Sequence, residues 1–125
     1  MADVQTLDLD ALVELFANAV VPVSTERKMQ QAIEDLLIGC SADYQRERKI
    51  GTRDRIDFLC GKTGIETKTA GSYIEVACQL LRYAESPNVD SIILITNKAS
   101  HRQLDGLANE NRKPIRVVFV AFNGF

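Results

Sequence analysis

The stretch that decides the fold runs Arg55-Ile56-Asp57-Phe58-Leu59-Cys60, then Gly61-Lys62-Thr63-Gly64, then Ile65-Glu66-Thr67-Lys68. Its first six residues alternate, with Ile56, Phe58 and Cys60 on one side and Arg55, Asp57 and Leu59 on the other, which is the period of a β-strand. Gly61 to Gly64 is a turn signal and Ile65 to Lys68 a short returning strand, so the stretch is a hairpin. With Lys62 and Thr63 as the turn residues, Gly61 pairs with Gly64, Leu59 lies opposite Glu66 and Asp57 opposite Lys68. All four side chains then share one face.

Downstream, Ser72-Tyr73-Ile74-Glu75 has the capping-box form S-x-x-E, which opens a helix that runs to Glu85 before Ser86-Pro87-Asn88 breaks it. Ser91 to Ile95 is an unbroken branched-apolar run, the mark of a strand buried on both faces. Ser100-His101-Arg102-Gln103 repeats the capping-box form and predicts a helix to Asn109, with His101 a solvated polar residue near its start. Arg116 to Ala121 reads as a last buried strand, parallel to its predecessor across that crossover helix. Upstream, Leu9, Leu12, Val13, Phe16, Ala17 and Val20 recur at helical spacing within residues 7–20, and Pro22 ends that helix. Ser24 or Thr25 caps a second helix running to Ile38 and closed by Gly39, with Met29, Ile33, Leu36 and Leu37 as its apolar face. Ala42 to Lys49 is polar and reads as an extended strand. Strands alternating with helices in this order predict an α/β sandwich around a mixed sheet.

The 125 residues are 46% apolar and 26% charged with a net charge of −2, the profile of one globular domain over residues 1–125. A chain of this size hides roughly two thirds of its unfolded surface, enough for a core without disulfides. No apolar run approaches the roughly 18 residues of a membrane span, and no signal-peptide pattern opens the chain, so a cytoplasmic protein without membrane contact is expected. Cys40, Cys60 and Cys78 form no C-x-x-C pair and read as reduced, mostly buried thiols. A charge near zero neither indicates nor excludes a nucleic-acid partner. Locally, however, Arg46, Arg48, Lys49, Arg53 and Arg55 fall within ten residues. Such a run tracks a phosphate backbone or forms a solvated strand face.

The hairpin's polar face carries the chemistry. An Asp, a Glu and a Lys crowd at the rim of an otherwise apolar sheet, and two carboxylates that close repel unless a cation sits between them. Hard oxygen ligands suit magnesium or manganese rather than zinc. Lys68 points the same way from the strand, where it can orient or deprotonate an attacking water or offset charge on phosphorus. An ordinary solvated charge cluster fits the same three residues. On the second helix, Glu26 projects in nearly the direction of the apolar stripe, while Glu34 points roughly 120° away as a surface residue. Glu26 therefore either caps the helix amides or is directed inward at a cation.

Together, Arg55-Ile56-Asp57-Phe58-Leu59, Gly64-Ile65-Glu66-Thr67-Lys68 and Gln79-Leu80-Leu81-Arg82-Tyr83 resemble the PD-(D/E)XK nuclease superfamily, in particular the branch related to the nuclease domain of RecB. The resemblance covers residues 25 to 96. It implies a restriction-endonuclease-like three-layer sandwich, a central mixed sheet flanked by helices. It implies that Asp57 and Glu66 ligate Mg2+ or Mn2+, with the Thr67 carbonyl adding a ligand, and that Lys68 is the catalytic lysine. Gln79 and Tyr83 would border the site, holding the lysine or contacting DNA, and Glu26 matches the superfamily's first-helix glutamate. On the helix itself, Gln79 and Tyr83 share a face with Val76 and Leu80, so core packing also accounts for Tyr83. Ile56 stands where the family usually has Pro, the RecB-type histidine has no counterpart, and the four cysteines of an iron-sulfur cluster are missing.

The expectation is thus a metal-dependent phosphodiesterase acting on nucleic acid, DNA before RNA, with Arg53 and Arg55 on the phosphates. Its rival is a noncatalytic module of the same fold that binds nucleic acid or protein. A domain this small has little room for specificity elements of its own, so a homodimer or a larger protein partner is also expected.

Overall fold

A computed structural model describes residues 6–120. Two helices form where a side-chain cap precedes a helical repeat. Asp8 accepts the Ala11 N–H at 2.8 Å and opens α1 (Leu9–Ala17), and Thr25 accepts the Lys28 N–H at 3.1 Å and opens α2 (Glu26–Gly39). α1 is shorter than the apolar recurrence suggests. The Asn18 N–H turns back on the carbonyls of Glu14 and Phe16, and Val20 is left exposed outside the helix.

Five strands follow: β1 (Gln45–Lys49), β2 (Arg55–Cys60), β3 (Thr63–Lys68), β4 (Ser91–Thr96) and β5 (Ile115–Phe119). Between β3 and β4 lies α3 (Tyr73–Ala84), opened by the full Ser72–Glu75 capping box. The sheet order is β1-β2-β3-β4-β5, antiparallel through β3 and parallel from β3 to β5. Phe58, Ile65, Ile93 and Ile95 meet Phe16, Met29, Ile33 and Leu37 on one face. On the other, Leu59, Ile92 and Leu94 meet Val76, Leu80 and Leu104. The chain is an α/β fold with a five-stranded mixed sheet and helices on both faces. Both parallel crossovers place their helical segment on the same face, as crossovers of one hand must.

Several expectations change. The hairpin turn is Gly61-Lys62, because Cys60 pairs with Thr63 and Gly61 takes φ 58°. A shift of two residues does not by itself exchange the faces. It replaces the expected Leu59–Glu66 and Asp57–Lys68 pairs with Phe58 against Ile65 and Leu59 against Gly64. The alternation also breaks inside β2: Ile56 packs with the α3-side cluster, in the space that Gly64 leaves by lacking a Cβ, rather than with Phe58 and Cys60.

The helix expected from Ser100 is a 3-10 segment, Ala99–Leu104, without a side-chain cap. His101 accounts for its shape. The imidazole is fully buried, with Nε2 2.8 Å from the Gly71 carbonyl and Nδ1 2.7 Å from the Thr96 hydroxyl. It is not the solvated residue the sequence suggests. A carbonyl only accepts, so Nε2 carries a proton and donates it to Gly71.

β5 ends at Phe119, and Ala121 of the expected strand lies outside the described residues. Of the three free thiols only Cys60 is buried; Cys40 is half-buried and Cys78 exposed. Burial pushes the Cys60 thiol up to about 12, so it packs as a protonated hydrophobe. Among the described residues no helix is long and apolar enough to cross a membrane.

The two isoleucines of α2 separate core from surface, since Ile33 is fully buried and Ile38 is 58% exposed. Ile33→Ala should cost about 2–5 kcal/mol, and Ile38→Ala should stay within about 0.5 kcal/mol of wild type. Urea unfolding of the two variants checks this difference.

Candidate functional site

The antiparallel ladder between β2 and β3 ends at Phe58–Ile65. Glu47, opposite Asp57 in an unchanged register, is left unpaired between the Arg46–Phe58 and Arg48–Ile56 pairs and takes φ 49°. A left-handed non-glycine residue within a strand costs about 1–2 kcal/mol, and such strain collects where a structure is committed to a site. One row across the sheet is therefore irregular, and Asp57 and Glu66 flank the opening.

Each carboxylate answers a backbone donor of the opposite strand. Asp57 Oδ2 accepts the Thr67 N–H and the Thr67 hydroxyl, both at 2.8 Å, and Glu66 Oε1 accepts the Asp57 N–H at 3.2 Å. Within a strand the N–H and C=O of one residue project to the same side, so the Thr67 carbonyl also faces β2. Glu66 approaches from the α3 side, where its Oε2 lies 3.1 Å from the Tyr83 hydroxyl and 3.5 Å from Lys68 Nζ. Asp57 reaches the hydroxyl of Thr67, which alternates to the opposite face. The acids meet at the gap from two sides, not as one flat cluster.

Glu66 is 4% exposed. Burial and then the Asp57 charge push its carboxyl up to about 8, against Lys68, the Asp57 N–H and Tyr83, which act the other way. Tyr83 lies beneath it, 1% exposed, and its phenol is raised by burial and by Glu66. The Gln79 amide donates to the Tyr83 oxygen at 2.6 Å, and the Arg55 carbonyl lies 3.3 Å from the same hydroxyl. When Glu66 is ionised the phenol can donate to it. When Glu66 holds a proton, the carboxyl can donate to the phenol, which then turns to Arg55. Tyr83 thus positions Glu66 from inside the core, and this corrects the expectation that it touches nucleic acid.

Glu26, in the first turn of α2, accepts the Thr69 N–H at 3.3 Å, which brings it to the end of β3 next to Lys68. Glu34 is not an idle surface residue: it accepts from the Tyr44 hydroxyl at 2.8 Å and pairs with Arg46 at 2.7 Å. Arg46 also lies over the Phe58 ring, so it leaves the basic run. Arg53 is exposed in the loop before β2 and Arg55 at its head. Among the described residues Arg48, Lys49, Arg53 and Arg55 have no acidic partner. A cavity of about 530 Å³ opens beside Lys68 and Gln79, rimmed by Gly71, Glu75, Val76 and Arg82.

Among the described residues no group of three or more His, Cys, Asp and Glu side chains converges to hold a metal. Two carboxylates and a backbone carbonyl at the gap are an all-oxygen donor set that suits magnesium or manganese, with water and phosphate oxygens completing it. Buried Glu66 and half-buried Asp57 disfavour each other's charge, and a cation between them would relieve that, so the donor chemistry fits the ion. Two groups of the site escaped the sequence, although their residues did not: the Thr67 hydroxyl, which pins Asp57, and the Arg55 carbonyl, which lies within reach of the Tyr83 hydroxyl. No local pattern marks contacts that exist only once the strand register is set.

The folded chain keeps the Glu66 proton to about pH 8, while the unfolded chain releases it near 4.5. Between these values the folded state binds more protons, so stability falls as pH rises through the window and levels off above it. Glu66→Gln cannot titrate and should remove that fall. Urea unfolding in chelator across this range tests it, and an unchanged slope in the variant would assign the effect to another group. No protein family, curated protein or solved structure compared with the chain matches it, so the reading of this site rests on its geometry.

Proposed function

We propose that the chain is a divalent-metal-dependent phosphodiesterase acting on nucleic acid, with DNA as the first substrate, built on a restriction-endonuclease-like sandwich of the PD-(D/E)XK type. The observation that carries the reading is the end of β3. There Glu66 and Lys68 stand together at 3.5 Å, Asp57 closes the strand gap, and Arg55 begins the strand that bears Asp57.

A magnesium or manganese ion at Asp57, Glu66 and the Thr67 carbonyl would supply Lewis-acid polarisation of a phosphoryl oxygen. The chain's own groups do the rest. Lys68 is 23% exposed at its side chain, anchored by Glu66 at one end of the cavity, so its ammonium can meet a phosphate oxygen or orient a water against it. Tyr83 and Thr67 fix the two carboxylates in one arrangement, which reduces reorganisation during the reaction. Glu26 adds negative charge on the α2 side of the same strand end. Arg53 and Arg55 hold the flanking phosphates.

In magnesium, wild type should nick supercoiled plasmid, and Glu66→Ala or Lys68→Ala should lose at least about 100-fold in rate. Calorimetric titration with manganese should find one site that weakens in Asp57→Asn. The two assays separate the alternatives. Both carboxylates already serve as backbone acceptors, which favours a noncatalytic binding module as the second reading, and DNA binding without nicking or metal uptake would establish it.

Arg53→Ala with Arg55→Ala should weaken binding to duplex DNA and lower the slope of log K against log salt by about 1.8, at roughly 0.9 per lost phosphate contact. Fluorescence anisotropy over a salt series reads both. Unchanged binding at low salt would remove these arginines from the interface.

A further inference from the structure

α3 turns Val76, Leu80, Tyr83 and Ala84 into the core and leaves Ile74, Cys78 and Leu81 in line on its outer side, with Tyr73 beside them. Ile74 is 70% exposed. Spacing of i, i+4 and i+7 is that of a helix face that packs on another helix. Nothing among the described residues covers it.

We propose that this face is a two-fold interface between two copies of the chain, with α3 packed antiparallel on α3 of the second copy. The charge pattern selects that occupant and that direction. The acidic residue of the first turn is Glu75 and the basic residue of the last turn is Arg82. Seven residues apart, they lie along one edge of the apolar stripe. A two-fold axis near Cys78 and Gln79 sets Glu75 of each copy against Arg82 of the other, twice, whereas a parallel pair would face like against like. Antiparallel helix dipoles favour the same arrangement.

Both side chains have capacity to spare. Glu75 uses Oε1 on the Ser72 N–H and keeps Oε2, and Arg82 meets Asp54 through Nε and Nη2 and keeps Nη1. Cys78 falls within a residue of the axis, facing its symmetry mate. Ile74 and Cys78 of the stripe line the Lys68 cavity together with Glu75, Gln79 and Arg82, so the pairing sets the two cavities side by side and closes the outer wall of each. The interface does not depend on the nuclease reading, and its test uses no activity.

Sedimentation equilibrium of the full chain should give twice the chain mass at micromolar concentration. Ile74→Asp should raise the dissociation constant about tenfold or more with unchanged far-UV circular dichroism. Arg82→Glu should weaken the dimer, and Glu75→Arg with Arg82→Glu should restore it. Diamide takes two electrons and two protons from two thiols as the S–S bond forms, so it should trap wild type as a dimer on a non-reducing gel but not Cys78→Ser. A wild type monomeric at every concentration, a dimer indifferent to Ile74→Asp, or a charge exchange no tighter than Arg82→Glu alone would overturn the proposal.

Discussion

Two carboxylates are held where the β2–β3 ladder stops, and the rest of the site is arranged around that break. A gap in a sheet orphans backbone donors, and buried donors must find partners. Here the Asp57 N–H is taken by Glu66 and the Thr67 N–H by Asp57, so side chains of each strand replace the ladder bonds the other has lost. The acids are therefore part of the backbone accounting as well as of any chemistry. An alanine at either position removes an acceptor and a charge together. An amide of the same shape keeps the carbonyl acceptor and removes only the charge, and for that reason Asn and Gln separate the two roles where Ala cannot.

Keeping that arrangement requires a supporting layer. Gln79 donates to Tyr83, and Tyr83 stands between Glu66 and the Arg55 carbonyl, so α3 is tied to both strands that carry the acids. A second tie acts one strand further on. His101 joins Thr96 at the end of β4 to Gly71 in the segment that leads from β3 into α3. The Thr96 hydroxyl also accepts the Lys98 N–H at 3.0 Å, so the oxygen and both ring nitrogens are engaged. A satisfied buried network of this kind rigidifies what it connects. Here it connects the end of β4 to the segment carrying the Gly71 rim of the Lys68 cavity.

What the sequence discloses is the periodic part of this structure. The Ser72–Glu75 box forms as its spacing predicts, the Ser91 run becomes a fully buried interior strand, and Glu26 takes the inward of the two placements its helix position leaves open. The faces of Phe58, Leu59 and Cys60 are also legible, but those of Ile56 and Asp57 are not: Ile56 joins the α3 side, and Asp57 reaches Thr67 rather than sharing a face with Glu66. The hairpin's neighbours are not legible: Gly61-Lys62-Thr63-Gly64 permits two turn placements, and local residues do not choose between them. The reversal of Ile56 depends on the space beside Gly64, across the hairpin. The second capping box fails because Ser100 and Gln103 offer only local bonds, whereas burying His101 gains two tertiary ones. Tyr83 is ambiguous for a similar reason, since a helix face common to Gln79, Leu80 and Tyr83 is equally a core face and the rim of a site.

Net charge conceals the field around the strand gap. Several basic side chains near the sheet are paired: Arg46 with Glu34, Lys62 with Asp90, Arg82 with Asp54 and Arg116 with Asp105. These pairs cancel locally and are worth little in stability at an exposed surface. Four of the cations without an acidic partner among the described residues, Arg48, Lys49, Arg53 and Arg55, lie together on the β1–β2 edge, within a few residues of Asp57. All five residues of β1 are exposed, so this edge lies open to solvent. A chain whose charges sum to −2 thus carries a positive border next to a negative gap. Exposed charges act over about a Debye length, near 8 Å at physiological salt. A polyanion with closely spaced charges can engage several of these cations at once, whereas an isolated small anion meets only one or two. The arrangement accordingly favours a phosphate backbone over a small phosphoester as the proposed site's ligand.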